Sequence, residues 1–209
     1  MKKKQALAIA VFALFAIGQA WSQRKSADYY EMYAGEVTTL NYLISGSENE
    51  HIMFANVIDN LIEYDRYGVV QPGLAESWTT SPDGLVWTFK LRKNLRWYTW
   101  QGKEYGDVTA QDWVDAAKYI LTKANASRIV EPLSSVVKNA DAYYEGKLSD
   151  FAQVGVRALD KGTLEYTLEK PVPYFLSMLS YVTYLPVSGK FLAEAGAAFG
   201  RDQTRILYN

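Results

Sequence analysis

A tight turn followed by strict alternation restricts one segment of this 209-residue chain to a β-strand. Residues 81–84 (Ser-Pro-Asp-Gly) place proline second and glycine fourth, as β-turns favour. Beyond the turn, Leu85, Trp87, Phe89 and Leu91 alternate with more polar side chains. Since successive side chains of a strand point to opposite faces, the pattern predicts a strand with one buried face.

Three other segments have helical spacing. The first follows i, i+3, i+4, i+7, i+8 and predicts one helix through residues 54–62. The second begins at Thr109, a favourable N-cap, with Asp112 as the capping acid. The third predicts a helix over 131–144. The expected inward residues are Phe54, Val57, Ile58, Leu61 and Ile62; Trp113, Val114, Ala117, Ile120 and Leu121; and Leu133, Val136, Val137 and Ala140.

Further strands and turns complete the pattern. An early strand is expected within 28–40, a turn at 65–68, and a hairpin whose strands flank the turn at 160–162. Two prolines, Pro171 and Pro173, end the second strand of that hairpin and precede a short helix over 175–181. Strand pairs interrupted by helices predict a mixed fold, α/β or α+β.

The first 20 residues have the layout of a secretory signal peptide. Lys2, Lys3 and Lys4 precede twelve apolar residues, 6–17, and small side chains then allow cleavage after Ala20. Twelve apolar residues are too few to span a bilayer comfortably. We therefore expect export to the periplasm or the outer face of the cytoplasmic membrane. A buried N-terminal helix is the alternative.

Composition excludes several functional classes. With no cysteine, the chain cannot form disulfides, a thiol nucleophile, a Cys-based zinc site or a lipidated Cys anchor. The net charge of −1 and the absence of a basic run beyond the N-terminus argue against nucleic-acid binding. His51, the single histidine, has no nucleophile motif beside it. We expect no enzyme activity, cofactor or metal.

Several linked motifs from residue 59 onward resemble those of the oligopeptide-binding receptors, family 5 of the bacterial solute-binding proteins. The resemblance covers about 40–209. Its motifs are DNLIEYDRYG (59–68), PGLAESW (72–78), SPDGLVWTFKLR (81–92), VTAQDWV (108–114) and the stretches at 154–168, 171–175 and 186–187. The insert at 99–105 is similar to that of Gram-positive peptide and pheromone receptors.

This resemblance implies a clamshell of the class II periplasmic-binding-protein type, with mixed α/β lobes. Residues 21–58 would form a tether and the first part of the main lobe, 59–188 the small lobe, and 189–209 a return into the main lobe. On this interpretation, only the small lobe and part of the main lobe are present, and we expect the chain to be an N-terminal fragment.

The resemblance also implies two ligand-binding segments. A polar segment before the first long helix runs beside the peptide in this family, and a residue just after the helix that begins at Thr109 approaches the ligand. The corresponding residues here are Ser45, Gly46, Ser47 and Glu48, and Arg128 and Ile129. A simple surface turn is the alternative for the first segment.

The expected function is oligopeptide binding for ATP-driven import through an ABC transporter. The expected partners are an oligopeptide and a membrane permease, with the receptor itself a monomer. Three alternatives remain open at this point: an inactive remnant of such a receptor, a relative that binds a nickel chelate, haem, a sugar or a signalling peptide, or a secreted hydrolase, which only the carboxylates support.

Overall fold

Eight strands and six α-helices make up the region that a computed structural model of the chain describes, residues 35–209. The strands are β1 (Ile62–Tyr64), β2 (Val70–Pro72), β3 (Ala75–Thr80), β4 (Val86–Leu91), β5 (Arg96–Tyr98), β6 (Glu104–Asp107), β7 (Val156–Asp160) and β8 (Thr163–Thr167). The helices are α1 (Glu48–Phe54), α2 (Gln111–Leu121), α3 (Glu131–Ser134), α4 (Ala140–Tyr144), α5 (Phe175–Met178) and α6 (Gly189–Ala195).

Four antiparallel strands form the central sheet, in the order β3-β4-β8-β7. Within it, Phe89 lies opposite Trp78 on one side and Leu164 on the other. Strand pairs β1–β2 and β5–β6 form separate hairpins. The predicted turn before β4 is confirmed: the Gly84 N–H donates to the Ser81 carbonyl at 2.9 Å. The predicted hairpin around 160–162 joins β7 to β8.

Aromatic rings fill the core beneath this sheet. Phe89 on β4 meets the Tyr166 ring edge-on, and Tyr166 in turn packs against Phe175 and Tyr184. Each ring is buried. Such burial stabilises a fold by roughly 1.5–3 kcal/mol per large apolar side chain. Phe89 thus belongs to the core, as its position in the alternating segment predicts.

The first helix is shorter than predicted. It ends at Phe54, and the backbone turns before Ile62 opens β1. After these turns the Leu61 carbonyl accepts hydrogen bonds from the N–H groups of Gly73 and Ala75, further along the chain. The predicted inward residues Phe54, Ile58, Leu61 and Ile62 are nevertheless buried.

Helix α2 confirms the capping acid but shifts the cap. Asp112 accepts a hydrogen bond from the Thr109 backbone N–H at 3.0 Å, as predicted. The helix starts at Gln111, and Ala110 rather than Thr109 occupies the cap position. Trp113, Ile120 and their predicted inward neighbours are buried, apart from Val114, which is partly buried.

The helix predicted over 131–144 is interrupted. Residues 135–139 separate α3 from α4, and Val137 forms a β-bridge with Leu168. The predicted inward residues Leu133, Val136, Val137 and Ala140 are all buried. The predicted helix over 175–181 is also shorter, ending at Met178.

Two expectations for the N-terminus lie outside the described residues: the signal peptide at 1–20 and most of the strand expected within 28–40. Residues 35–40, the part of that strand within the structure, have no strand. Between residues 35 and 209, no helix is both long and apolar enough to cross a membrane. The same residues hold no His, Cys, Asp and Glu cluster suited to a metal ion.

Candidate ligand-binding site

The two segments expected to approach a ligand lie against each other. The backbone N–H of Arg128 donates to the Ile44 carbonyl at 3.1 Å, and the Ser127 hydroxyl donates to the Leu43 carbonyl at 2.7 Å. A β-carbon added at Gly46 would lie only 3.1 Å from the β-carbon of Arg128. The absence of a side chain at Gly46 therefore lets the Arg128 side chain cross this loop closely.

Ser45 anchors the loop from inside. Its side chain is buried, and its hydroxyl donates to a carboxylate oxygen of Glu50, on helix α1. The Ser45 carbonyl accepts a hydrogen bond from Nε2 of His51 at 2.8 Å, and the Ser47 N–H donates to the Ser45 hydroxyl oxygen at 3.1 Å. The hydroxyl and the carbonyl of Ser45 therefore both hold the loop in its conformation.

Glu50 collects hydrogen bonds from a second segment as well. Its Oε1 accepts from the Thr38 N–H at 2.7 Å, the Thr38 hydroxyl at 2.8 Å and the Thr39 N–H at 3.1 Å. Burial opposes ionisation of this carboxyl, but the hydrogen bonds from Ser45, Thr38 and Thr39 outweigh it and lower the pKa of Glu50. The loop is thus fixed around a buried carboxylate.

A groove of about 430 Å³ opens beside the Arg128 segment. Its lining is apolar with one charge of each sign. The residues are Arg128, Ile129, Glu131, Pro132, Met178 and Tyr181. Tyr181 is exposed, whereas Ile129 is buried and its carbonyl accepts from the Thr183 hydroxyl at 3.1 Å. Within residues 35–209, neither Arg128 nor Glu131 forms an ion pair.

Two residues carry backbone groups without partners: Arg128, which lines this groove, and Gly46, which lies beside the Arg128 side chain. Among the residues that the structure describes, the N–H and carbonyl of Gly46 and the carbonyl of Arg128 make no hydrogen bond. Glu48 is exposed at the start of α1, one residue beyond Ser47. Unpaired backbone groups beside an apolar groove suit an extended chain that adds its own hydrogen bonds.

All six predicted site residues therefore fall in one neighbourhood, although their ligand contacts remain predictions. The sequence reasoning did not identify His51 and Tyr181, whose rings pack edge-on at 5.5 Å. No local spacing relates Tyr181 to the other site residues. For His51, the only signal in the sequence is that it follows Ser45 by six residues, with the start of a helix between them.

The sequence model of the bacterial extracellular solute-binding proteins, family 5 middle, matches residues 69–205. Over its whole length the chain is 38% identical to the oligopeptide-binding protein AmiA of Streptococcus pneumoniae, and covers 33% of it. It is 41% identical to the oligopeptide-binding protein SarA of Streptococcus gordonii, again over its whole length, and covers 34% of that protein.

A solved structure is similar as well. The substrate-binding domain of an oligopeptide ABC transporter from Bacillus anthracis superposes with a TM-score of 0.78 at 32% identity, over 86% of this chain and 33% of that one. These comparisons confirm the predicted fold class. The chain spans about a third of the length of the curated relatives it matches.

Proposed function

The chain belongs to the family 5 bacterial extracellular solute-binding proteins, and on that premise we propose that it forms part of a receptor for oligopeptides. The receptor would bind peptides outside the cytoplasm and deliver them to the membrane permease of an ABC importer. It would act by binding alone, without catalysing a reaction, and as a monomer. The names of the relatives AmiA and SarA support oligopeptides as the ligand class.

The observation that carries this proposal is the pair of unpaired backbone segments beside one groove. Gly46 offers an N–H and a carbonyl, and Arg128 offers a carbonyl. A peptide in extended conformation presents the complementary groups in every residue, whatever its sequence. Binding through the main chain therefore suits a receptor that must accept many peptides.

The groove lining suits the side chains of such a ligand. Met178 and Tyr181 offer apolar and aromatic contact, while Arg128 and Glu131 offer one charge of each sign. Arg128 and Tyr181 are exposed to solvent, so water can bridge to side chains that do not fill the space. We infer that Ser45 contributes by fixing the loop, and that Gly46, Ser47, Glu48, Arg128 and Ile129 border the peptide.

We further propose that 21–58 and 189–209 belong to the main lobe and 59–188 to the small lobe. One observation supports joining the first two segments. The Leu40 N–H donates to the Gly200 carbonyl at 2.8 Å. The two segments thus meet directly although 59–188 lies between them in the chain.

The test is peptide binding by the protein in the length that its source cell makes. Peptides of varied length and sequence should raise the melting temperature of the wild type. Arg128→Ala and Gly46→Ala should each weaken binding about tenfold, equivalent to about 1.4 kcal/mol. The first variant removes the Arg128 wall of the groove, and the second displaces that wall. Titration calorimetry measures the affinities.

The matched control is Lys147→Ala, which removes another exposed cation away from the groove. It should leave peptide affinity unchanged. A protein that no peptide stabilises, but that a nickel chelate, haem or a sugar does, would belong to the same family with a different solute. Stabilisation by none of these would contradict the receptor function.

A further inference from the structure

We propose that His51 is a positioning residue for the ligand edge, holding the 45–47 loop and Tyr181 in one arrangement. The inference rests on the proposed function, since it concerns the groove described above. His51 is the only histidine of the chain. Neither the family match nor the relatives' names assign it a role.

Two contacts of the His51 ring carry the proposal. Its Nε2 lies 2.8 Å from the Ser45 carbonyl oxygen. Since a carbonyl only accepts, Nε2 must carry the hydrogen. The ring also packs against Tyr181 at 5.5 Å between centroids, with the two planes 88° apart. One side chain therefore touches both the loop and the groove wall.

The partners of Ser45 explain why this matters for ligand. Consecutive residues of α1 hold two different atoms of Ser45: Glu50 binds the hydroxyl, and His51 binds the carbonyl. Together they fix both the side chain and the peptide plane that joins Ser45 to Gly46. The orientation of that plane determines where the Gly46 N–H points, and this N–H has no partner among residues 35–209.

Tyr181 links the same histidine to the opposite side of the site. Tyr181 lines the groove together with Arg128, whose side chain crosses over Gly46. A ligand that contacts Tyr181 would therefore act on the same ring that holds the Ser45 carbonyl. Edge-to-face packing stabilises the relative orientation of the two rings, so a change at Tyr181 is felt at His51.

Three variants separate the two contacts. His51→Gln keeps a side-chain N–H donor and removes the ring. His51→Phe keeps an aromatic ring against Tyr181 and removes the donor. His51→Ala removes both. If the donor positions the loop, Phe and Ala should weaken peptide binding about tenfold, whereas Gln should restore it to within about threefold of the wild type.

Amide hydrogen exchange without any peptide provides the second measurement. In His51→Phe, the Ser47 amide, whose N–H donates to the Ser45 hydroxyl oxygen, should exchange at least about tenfold faster, because release of the Ser45 peptide plane lets this N–H move away from the hydroxyl. The Gly84 N–H, bonded to the Ser81 carbonyl in a distant turn, is the internal control and should not change. The melting temperature should stay within a few degrees of the wild type.

Unchanged exchange of the Ser47 amide in His51→Phe would overturn the positioning role. A rise in exchange across the whole chain with a large drop in melting temperature would also overturn it, because His51 would then be a general structural residue. Failure of the wild type to bind any peptide would contradict the proposed receptor function instead. In that case the exchange measurement still decides whether His51 positions the loop.

Discussion

At the scale of single residues, Asp112 shows how a buried acid can work against stability. Its carboxylate accepts hydrogen bonds from the Trp97 indole at 2.8 Å and the Thr109 N–H at 3.0 Å. Burial nevertheless dominates and raises the pKa of Asp112 to about 6, while those hydrogen bonds oppose the shift. The folded protein therefore keeps a proton here at pH values where the unfolded chain has lost it.

This difference sets the sign of a pH effect. Between about pH 4 and 6 the folded state binds more protons at Asp112 than the unfolded state, so this group lowers the free energy of unfolding as pH rises. Asp112→Asn removes the charge and keeps an oxygen that accepts hydrogen bonds. Relative to the wild type, we expect its free energy of unfolding to increase by about 2 kcal/mol from pH 4 to pH 7.

Urea unfolding of the wild type and of Asp112→Asn at the two pH values measures this change in the free energy of unfolding. Asp83→Asn serves as a control of opposite sign. The Ser81 hydroxyl and the Leu85 N–H hold the pKa of the exposed Asp83 below its usual value. That variant should therefore lose stability relative to the wild type as pH rises. Parallel pH profiles for the wild type and Asp112→Asn would contradict the argument.

At the scale of elements, the break between α3 and α4 shows long-range pairing overriding local helical spacing. The Lys138 N–H donates to the Thr167 carbonyl at 3.0 Å, and the Lys138 carbonyl accepts from Gly155 at 2.8 Å. Asn139 then takes the left-handed conformation, with φ of 60°. The segment thus leaves the helix to pair with the last residue of β8 and with the residue that precedes β7.

Substitutions at Asn139 test whether this break is required. Asn139→Ala and Asn139→Gly both lose the hydrogen bond from the side chain to the Gln153 carbonyl at 2.8 Å. For alanine, unlike glycine, the left-handed backbone conformation also costs about 1–2 kcal/mol. We therefore expect urea unfolding to show the Ala variant less stable than the Gly variant by about 1 kcal/mol. Equal stability of the two variants would contradict a left-handed conformation at residue 139.

At the scale of the whole described region, distant parts of the chain meet at residues 39–42 and 198–206. The backbone of Asn41 lies so close to Gly200 that an added β-carbon would be 2.2 Å from the Asn41 nitrogen. Tyr98 and Tyr208 form a second such link, each donating its N–H to the other's carbonyl. The first contact ties the 189–209 segment to the start of the described region, and the second ties it to β5.

Substitutions at two glycines of similar φ distinguish the effect of this close contact from the strain of a left-handed backbone. Gly200 has φ of 72° and Gly68 has φ of 74°, but Gly68 has nothing within 4 Å of an added β-carbon. Gly68→Ala should cost about 1 kcal/mol, and Gly200→Ala about 3 kcal/mol or more, because the latter also displaces backbone. Denaturant unfolding compares them, and equal losses would refute the close approach.

The sequence by itself determined which faces of the strands and helices are buried and where the chain turns. Alternation marked β4 and its buried Phe89, and the turns before Gly84 and around 160–162 lie where the residue types predicted. Side-chain periodicity and turn chemistry are local, so neighbouring residues suffice to read them. The six site residues, in contrast, were predicted from the family resemblance and not from their own spacing, and their ligand contacts remain predictions.

Tertiary structure alone decided where helices end and how the site is assembled. The inward residues after Phe54, apart from the partly buried Val57, and those within 131–144 are buried as predicted, yet both segments leave the helix and pair their backbone with 73–75 and 155–167. Likewise, His51 and Tyr181 join the site only because the fold brings them together. Periodicity encodes which side is buried, whereas hydrogen bonds between distant segments choose the backbone conformation that buries it.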